Sequence, residues 1–347
     1  MLGPFGLEDE TAAWPRSAWV ISDGTMGMLS QSLAVVRAMD IGADDIRALP
    51  SPLLRLYPRL AHLPGWQLTW GREPNWLRAN RFPDLMITCG RRMAGLSIGI
   101  RRRSRGKTRT VHIQDANLPP HLFDLMIVPA HDRLASIGKD GAPPDNVIVS
   151  TGSLNRLNKD DISEAASDFD WPEQLDRNRP VIAVMLGGRN KRYAPNAEQC
   201  RELASQLEAL ASQTGGQLVL IPSRRTSSSV RSVLNDRFRD SQHIIWDQAK
   251  PNPYPAILAI SEMVVVTSDS VNMTTEACIT GLPVLTAHFR TEQGKIARFH
   301  HLMQERNHTQ NLSDILSGAA QLNKAPAVLD EMPLIAEQIF ARLSPEP

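Results

Sequence analysis

Apolar and polar positions along the chain set up a repeating strand–helix rhythm. Short runs rich in β-branched residues predict strands at 18–21, 84–88, 110–113, 125–128 and 147–149. The second half offers further strands at 181–186, 218–221, 243–246, 264–266 and 284–286. Between them apolar residues recur at helical spacing, as Leu29, Leu33 and Val36 do within 28–39. Helices are likewise expected near 91–103, 197–212, 254–260 and 329–343. The stretch 49–80, rich in Pro and Trp, takes no clear assignment. Strands that alternate with helices imply parallel, doubly wound sheets. The expected fold class is therefore α/β, with two Rossmann-like doubly wound domains facing a cleft. A polar, acidic joint over 158–180 sets those domains at 1–165 and 170–328, with a last helix in 329–347 that can return to the first.

Composition changes this picture little. The 347 residues are 42% hydrophobic and 22% charged, as in a globular chain, and too many for one ordinary α/β core. A net charge of +1 gives no general push toward nucleic acid, and none is expected as a partner. Cys89, Cys200 and Cys278 are far apart and suggest buried thiols in a reducing compartment. No run of 18 apolar residues occurs, and the first ten residues lack a signal core, so a cytoplasmic protein is expected. There is no HExxH, no Cys/His ligand set, no GxSxG elbow and no kinase signature. Neither a metal nor a cofactor is expected.

Charge is uneven, however. Between Arg72 and Arg109 eleven Arg or Lys face only Glu73 and Asp84, a local net of +9. The apolar run Met93–Ile100 leads into Arg101, Arg102, Arg103, Arg105, Lys107 and Arg109. An apolar helix ending in cations suits the headgroups of an anionic membrane, so 93–109 is a candidate membrane surface. The plainer reading is a solvated helix end that complements its own dipole.

The most informative stretch is Val264–Pro283. A buried strand ends in Ser268, Asp269, Ser270 and Asn272, which crowd the start of a short helix carrying Glu276. Such a strand end suits a nucleotide, with phosphates at the helix amides and ribose hydroxyls on the carboxylate. It also suits an ordinary capped turn. Other strand ends carry similar chemistry. Asp23, Gly24 and Gly27 form a Gly-rich turn with Gln31 one turn later, though without a dinucleotide or Walker A spacing. Gln114 and Asp115 follow another strand, where Asp115 is either a general base or a turn former. Gly187, Gly188 and Asn190 open the second half, and Arg224, Arg225 and Thr226 close its next strand. The two guanidinium groups are natural clamps for a pyrophosphate, or a surface Arg pair.

The combination of 22–28 (SDGTMGM) with Gln31, Gln114-Asp115, 129–132 (PAHD), 151–155 (TGSLN), Gly187-Gly188, 223–226 (SRRT) and 267–271 (TSDSV) resembles the mitochondrial fission "elongated mitochondria" family, in that order, over 19–299. That family includes plant organelle-division factors and many bacterial proteins. More distantly the layout is similar to GT-B glycosyltransferases, in particular the enzyme that adds N-acetylglucosamine to the peptidoglycan lipid precursor. This resemblance implies a nucleotide sugar, UDP-linked, with Glu276 on the ribose and Ser268, Ser270 and Asn272 by the phosphates. Met28 stands where that enzyme has a histidine, so Asp23 or Asp115 would have to act as the catalytic base. Arg189 stands where bacterial family members often have Pro. The expected function is sugar transfer from a nucleotide-sugar donor to an unidentified acceptor, with a lipid-linked one as a candidate, in the cytoplasm or at the inner face of a membrane. The plant members imply the alternative, a non-catalytic membrane-associated recruitment scaffold.

Overall fold

The computed structural model describes residues 14–71, 73–78, 81–135, 142–188, 193–247 and 251–345. Contacts divide the chain into two compact units, Met1–Ser150 with Glu331–Pro347, and Thr151–Asp330.

The first unit starts with β1 (Ala18–Ser22), α1 (Met26–Ala38) and β2 (Asp44–Arg47). The short helices α2 (Pro52–Leu56) and α3 (Asn75–Arg78) bracket a 3-10 turn at Pro58–His62. Then follow β3 (Leu85–Cys89), α4 (Ala94–Arg103), β4 (Arg109–Ile113), β5 (Leu125–Pro129) and β6 (Val147–Ser150). The strands of its sheet all pair in parallel, in the order β2-β1-β3-β4-β5-β6. The order reverses between β1 and β3, which in such sheets marks the crevice where ligands bind. β2 is an edge strand whose sequence, DDIR, has no strand-like pattern; pairing with β1 makes it one.

The second unit runs α5 (Lys159–Ser167), β7 (Val181–Leu186), α6 (Ala197–Thr214), β8 (Gln217–Pro222), α7 (Ser228–Phe238), β9 (Ile244–Ile245), α8 (Tyr254–Ile260) and β10 (Met263–Thr267). It continues with α9 (Val271–Ala277), β11 (Val284–Ala287), α10 (Gly294–Glu305), β12 (Gln310–Asn311) and α11 (Leu312–Leu316). The parallel sheet is ordered β12-β11-β10-β7-β8-β9, with the reversal between β7 and β10. Ile182, Val184 and Leu186 of β7 enter one core cluster, while Val181, Ala183 and Met185 enter another. A strand buried on both faces must be apolar throughout, and this is why β7 reads as one unbroken run. Capping boxes start α5, at Asn158 with Asp161, and α6, at Asn196 with Gln199. The chain then re-enters the first unit as α12 (Met332–Leu343), which packs on α1 and β5.

The run Met93–Ile100, offered to a membrane on sequence grounds, is spent on the core of the first unit. Met93, Ala94, Leu96, Ile98 and Ile100 are buried. Gly95 and Gly99 explain how. A Cβ on Gly95 would lie 3.0 Å from the Cβ of Leu54, and one on Gly99 would lie 2.4 Å from Leu68 Cδ2. The two glycines form a groove in α4 that seats Leu54 and Leu68 from the stretch that follows β2. The basic end of α4 is also largely occupied within the unit. Arg101 Nε donates to Asp124 Oδ1 at 2.8 Å, Arg102 Nε to the Ala61 carbonyl at 3.1 Å, and Arg103 forks onto both Glu73 oxygens at 2.9 Å. Among the described residues no helix is long and apolar enough to cross a membrane.

Candidate functional site

In the second unit the predicted residues gather at the carboxyl ends of β7, β8 and β10, though they do not all face open space. The ends of β7 and β10 are laced together. Gly187 N–H donates to Thr267 Oγ1 at 2.8 Å, Thr267 donates to Asp269 Oδ1 at 2.7 Å, and Gly188 N–H donates to Asp269 Oδ2 at 2.9 Å. A Cβ on Gly187 would lie 2.1 Å from the Asp269 carboxylate, and one on Gly188 would lie 2.1 Å from the backbone of Arg225. The protein's own groups occupy the space that these glycines leave, so ligand approach is not what requires them. Asp269 is buried, and that burial raises its carboxyl above the usual range despite the hydrogen bonds from Thr267 and Gly188 and the nearby Arg225 cation.

Thr226 and Ser268 also turn inward. Thr226 Oγ1 donates to the carbonyls of Gly187 at 2.6 Å and Leu186 at 3.1 Å, tying the loop after β8 to the end of β7. Ser268, fully buried, donates to Glu292 Oε1 at 2.6 Å. Ser270 is the N-cap of α9, its hydroxyl accepting from Met273 N–H, and Asn272 is half-exposed on the first turn. Asn190, and Arg189 beside it, lie outside the described residues.

Arg224 and Glu276, by contrast, share one cavity. Its volume is about 590 Å³, within the usual range of small-molecule pockets, and Met185, Ser223, Trp246, Tyr254 and Met273 complete most of its wall. Trp246 is fixed by its indole N–H donating to the Pro251 carbonyl at 3.0 Å. Tyr254 donates to Glu276 Oε2 at 2.5 Å, which leaves Oε1 as the carboxylate's other acceptor. Burial pushes the Glu276 carboxyl above the usual carboxylate range, against the pull of that hydrogen bond. Another cavity, of about 470 Å³, is lined by Asp176, Arg179, Gln217 and Gln242. It reaches the start of β8 rather than its end and holds none of the predicted residues.

Sequence reasoning missed Trp246, Tyr254 and Met273 as cavity residues, and it missed the group around Glu292. His288 Nδ1 lies 3.4 Å from Glu292 Oε1, and His300 Nε2 lies 2.8 Å from the Ser268 carbonyl. Burial alone would raise the Glu292 carboxyl, but His288, Ser268 and Tyr193 outweigh it and hold it low. No local signal marks these residues, since Glu292 follows its partner Ser268 by 24 positions.

In the first unit both proposed bases hold their own turns. Thr25 N–H donates to Asp23 Oδ1 at 3.0 Å, and Asn117 N–H donates to Asp115 Oδ1 at 2.7 Å. These are Asx turns, the plainer of the two readings for Asp115. Asp23 also faces Arg92 at 3.6 Å. Burial would raise its carboxyl, but Thr25 and Arg92 prevail and hold it below the usual range, the opposite of what a general base at neutral pH requires. Gly24, at φ 86°, takes a conformation only glycine adopts easily, and the Arg47 guanidinium covers the place of its Cβ at 3.0 Å. Gly27 is exposed on the first turn of α1, and buried Gln31 donates back to its carbonyl at 3.3 Å. Gln114, at φ 74°, directly follows β4. Met28 packs its sulfur over Gly90, 2.6 Å from the place of a Cβ.

Comparison with known proteins follows the same lines. The chain is 29% identical over 242 residues to the Mitochondrial fission protein ELM1 of Arabidopsis thaliana, covering 65% of this chain and 56% of that protein. It thus matches little more than half the length of the plant relative. It is 25% identical over 301 residues to an uncharacterised protein of Rickettsia prowazekii, covering 77% of this chain and 81% of the other. The structure is similar to the UDP-GlcNAc 2-epimerase of Methanocaldococcus jannaschii, with a TM-score of 0.56 at 13% identity, over 94% of this chain and 99% of that one. At that identity the likeness is one of fold, and the fold is GT-B-like. The Mitochondrial fission ELM1 family profile matches residues 26–343, nearly the whole chain, and the protein belongs to that family.

Proposed function

We propose that the second unit binds a nucleotide sugar, UDP-linked, and that the protein transfers the sugar to a lipid-linked acceptor. The observation that carries this reading is the 590 Å³ cavity, which brings an aromatic wall, a buried carboxylate and an exposed guanidinium together at the strand ends. Trp246 and Tyr254 offer flat apolar surface to a base. Glu276 has an acceptor oxygen left for the ribose hydroxyls, in charge-assisted bonds worth about 1.5–3 kcal/mol. Arg224 at the rim matches the charge of a diphosphate. The fold likeness to a UDP-GlcNAc enzyme supports donor binding, and it does not bear on transfer.

A second reading, a recruitment scaffold without turnover, is favoured by one observation. Asp23 and Asp115, the acids expected to deprotonate an acceptor, are each committed to a turn. Titration calorimetry with UDP-GlcNAc, UDP-glucose and GDP-mannose tests the donor site. A binder at a hundredfold excess over its dissociation constant stabilises the fold by about 2.7 kcal/mol. Binding that Glu276→Ala weakens about tenfold or more supports the donor site. The absence of binding to any nucleotide sugar overturns both the site and the transfer reading. Donor binding without release of nucleotide on incubation with lipid acceptors leaves the scaffold.

A further inference from the structure

The segment that covers α4 exposes apolar side chains of its own. Leu54, Pro58 and Ala61 face inward and are buried. On α2, Leu53 and Leu56, with Tyr57 just beyond, stand three and four positions apart, the spacing of one helix stripe. All three face solvent. Leu49 and Trp70 extend this surface. Trp70 N–H donates to the Leu49 carbonyl at 2.8 Å, Pro50 bridges Thr69 in antiparallel fashion, and the two flanking side chains therefore come side by side. With Leu63 after the 3-10 turn, these residues keep between 48% and 62% of their surface exposed. They supply six of the ten large exposed apolar side chains among the described residues, within 22 positions of the chain. Exposed apolar residues scattered singly need no explanation, but a concentration of this kind marks an interaction surface.

The charge around it identifies the partner. No Asp or Glu occurs between Asp45 and Glu73, and Glu73 itself is forked by Arg103. Arg55 and Arg59 are exposed among the apolar groups, as is His62. Arg101 and Arg102 lie close by. Together with burial, their charge pushes the His62 pKa down. Leucines, a tyrosine and a tryptophan interspersed along the chain with the exposed Arg55 and Arg59, with no acid in the same stretch, are suited to the boundary between acyl chains and anionic headgroups.

We propose that residues 49–70 of the first unit seat the protein on an anionic lipid bilayer, with Leu53, Leu56 and Tyr57 entering the acyl boundary and Arg55 and Arg59 meeting lipid phosphates. This rests on the membrane-side part of the function proposed above, and it moves the contact from α4 to the segment that covers α4. It is independent of sugar transfer, since a scaffold would dock in the same way.

The test is flotation of the full chain with vesicles of phosphatidylcholine alone and of phosphatidylcholine mixed with phosphatidylglycerol. The protein should float with the mixed vesicles, and added salt should weaken the binding. Arg55→Ser with Arg59→Ser should weaken partitioning by about tenfold or more. Leu53→Ser, Leu56→Ser and Tyr57→Ser together should abolish it, with an unchanged circular dichroism spectrum. Arg201→Ser with Lys324→Ser, two exposed cations of the second unit, should leave it unchanged. No flotation of the unaltered protein overturns the proposal and leaves the surface to a protein partner. Equal losses from the patch pair and the remote pair overturn it in favour of diffuse charge. Loss of nucleotide-sugar binding has no bearing on this experiment, so the two readings fail separately.

Discussion

Tyr254 donates its hydroxyl to Glu276 Oε2 at 2.5 Å, joining the start of α8 to the last turn of α9 across the cavity wall. This bond orients the carboxylate but does not cancel the cost of burying it. The folded protein therefore holds the Glu276 proton more tightly than the unfolded chain. Stability contributed by the neutral acid is lost as pH rises from about 4.5 through the raised folded value. Glu276→Gln should raise the melting temperature of the ligand-free protein at pH 7 by about 1–3 °C, and the gain should fade toward pH 4.5. The same variant should lose nucleotide-sugar affinity. Scanning calorimetry at both pH values checks the first outcome, and a lower melting temperature at pH 7 would contradict it. Tyr254→Phe should have the opposite sign, costing about 1–3 kcal/mol because Glu276 is left without its donor.

The glycine pair offers a test that separates packing from ligand approach. Gly187→Ala and Gly188→Ala should each destabilise the protein by about 1–3 kcal/mol through overpacking. The obstacles differ, a carboxylate for Gly187 and backbone for Gly188. In an Asp269→Ala background the cost of Gly187→Ala should shrink while that of Gly188→Ala persists. Urea unfolding of the full cycle measures this coupling. Equal costs in both backgrounds would mean that Asp269 is not what confines Gly187.

His112 is buried in the core of the first unit, 2.8 Å from Thr88 Oγ1 and stacked on Phe123 at 4.7 Å. Burial pushes its pKa down to about 3. The folded state thus binds fewer protons than the unfolded chain between pH 6.5 and 3, and stability is lost as pH falls through that window. One such group contributes a slope of about 1.4 kcal/mol per pH unit. Urea midpoints measured from pH 7.5 to 5 should fall, and His112→Leu should flatten the lower part of the curve. An unchanged slope in the variant would exclude His112 as the acid-sensitive group.

Asp23 has the same sign as His112 and the reverse of Glu276. Its carboxyl is held low, so the stability it gives is present above the unfolded value of about 3.8 and is lost below it. Asn also supports an Asx turn. Asp23→Asn should therefore cost less than about 1 kcal/mol at pH 7, since Arg92 is largely exposed. If the protein turns over a nucleotide sugar, the acid limb of its pH–rate profile should be the same in Asp23→Asn. A large drop in turnover with that limb removed would restore Asp23 as the base.

The strand–helix alternation and the parallel sheets were legible along the chain because they rest on local periodicity. The runs over 181–186 and 263–266 are apolar throughout since both faces of their sheet are covered, and no distant residue is needed to recognise that. Family membership was legible for a similar reason, as its motifs sit at strand ends in fixed order. What the tertiary structure decided was the use of each polar group. Asp269 lies 81 positions from the Gly188 amide it accepts from, and Tyr254 lies 22 from Glu276. Such pairings form only when strand ends converge, so the sequence could place a carboxylate at a strand end but not say whether it faced solvent, a ligand or a neighbouring amide. β2 became a strand only by pairing at the edge of β1, without an apolar pattern of its own. The run Met93–Ile100 shows the same limit in apolar terms. Hydrophobicity required that it be covered, and the fold supplied the cover from Leu54 and Leu68, which moved the exposed apolar surface to residues 49–70.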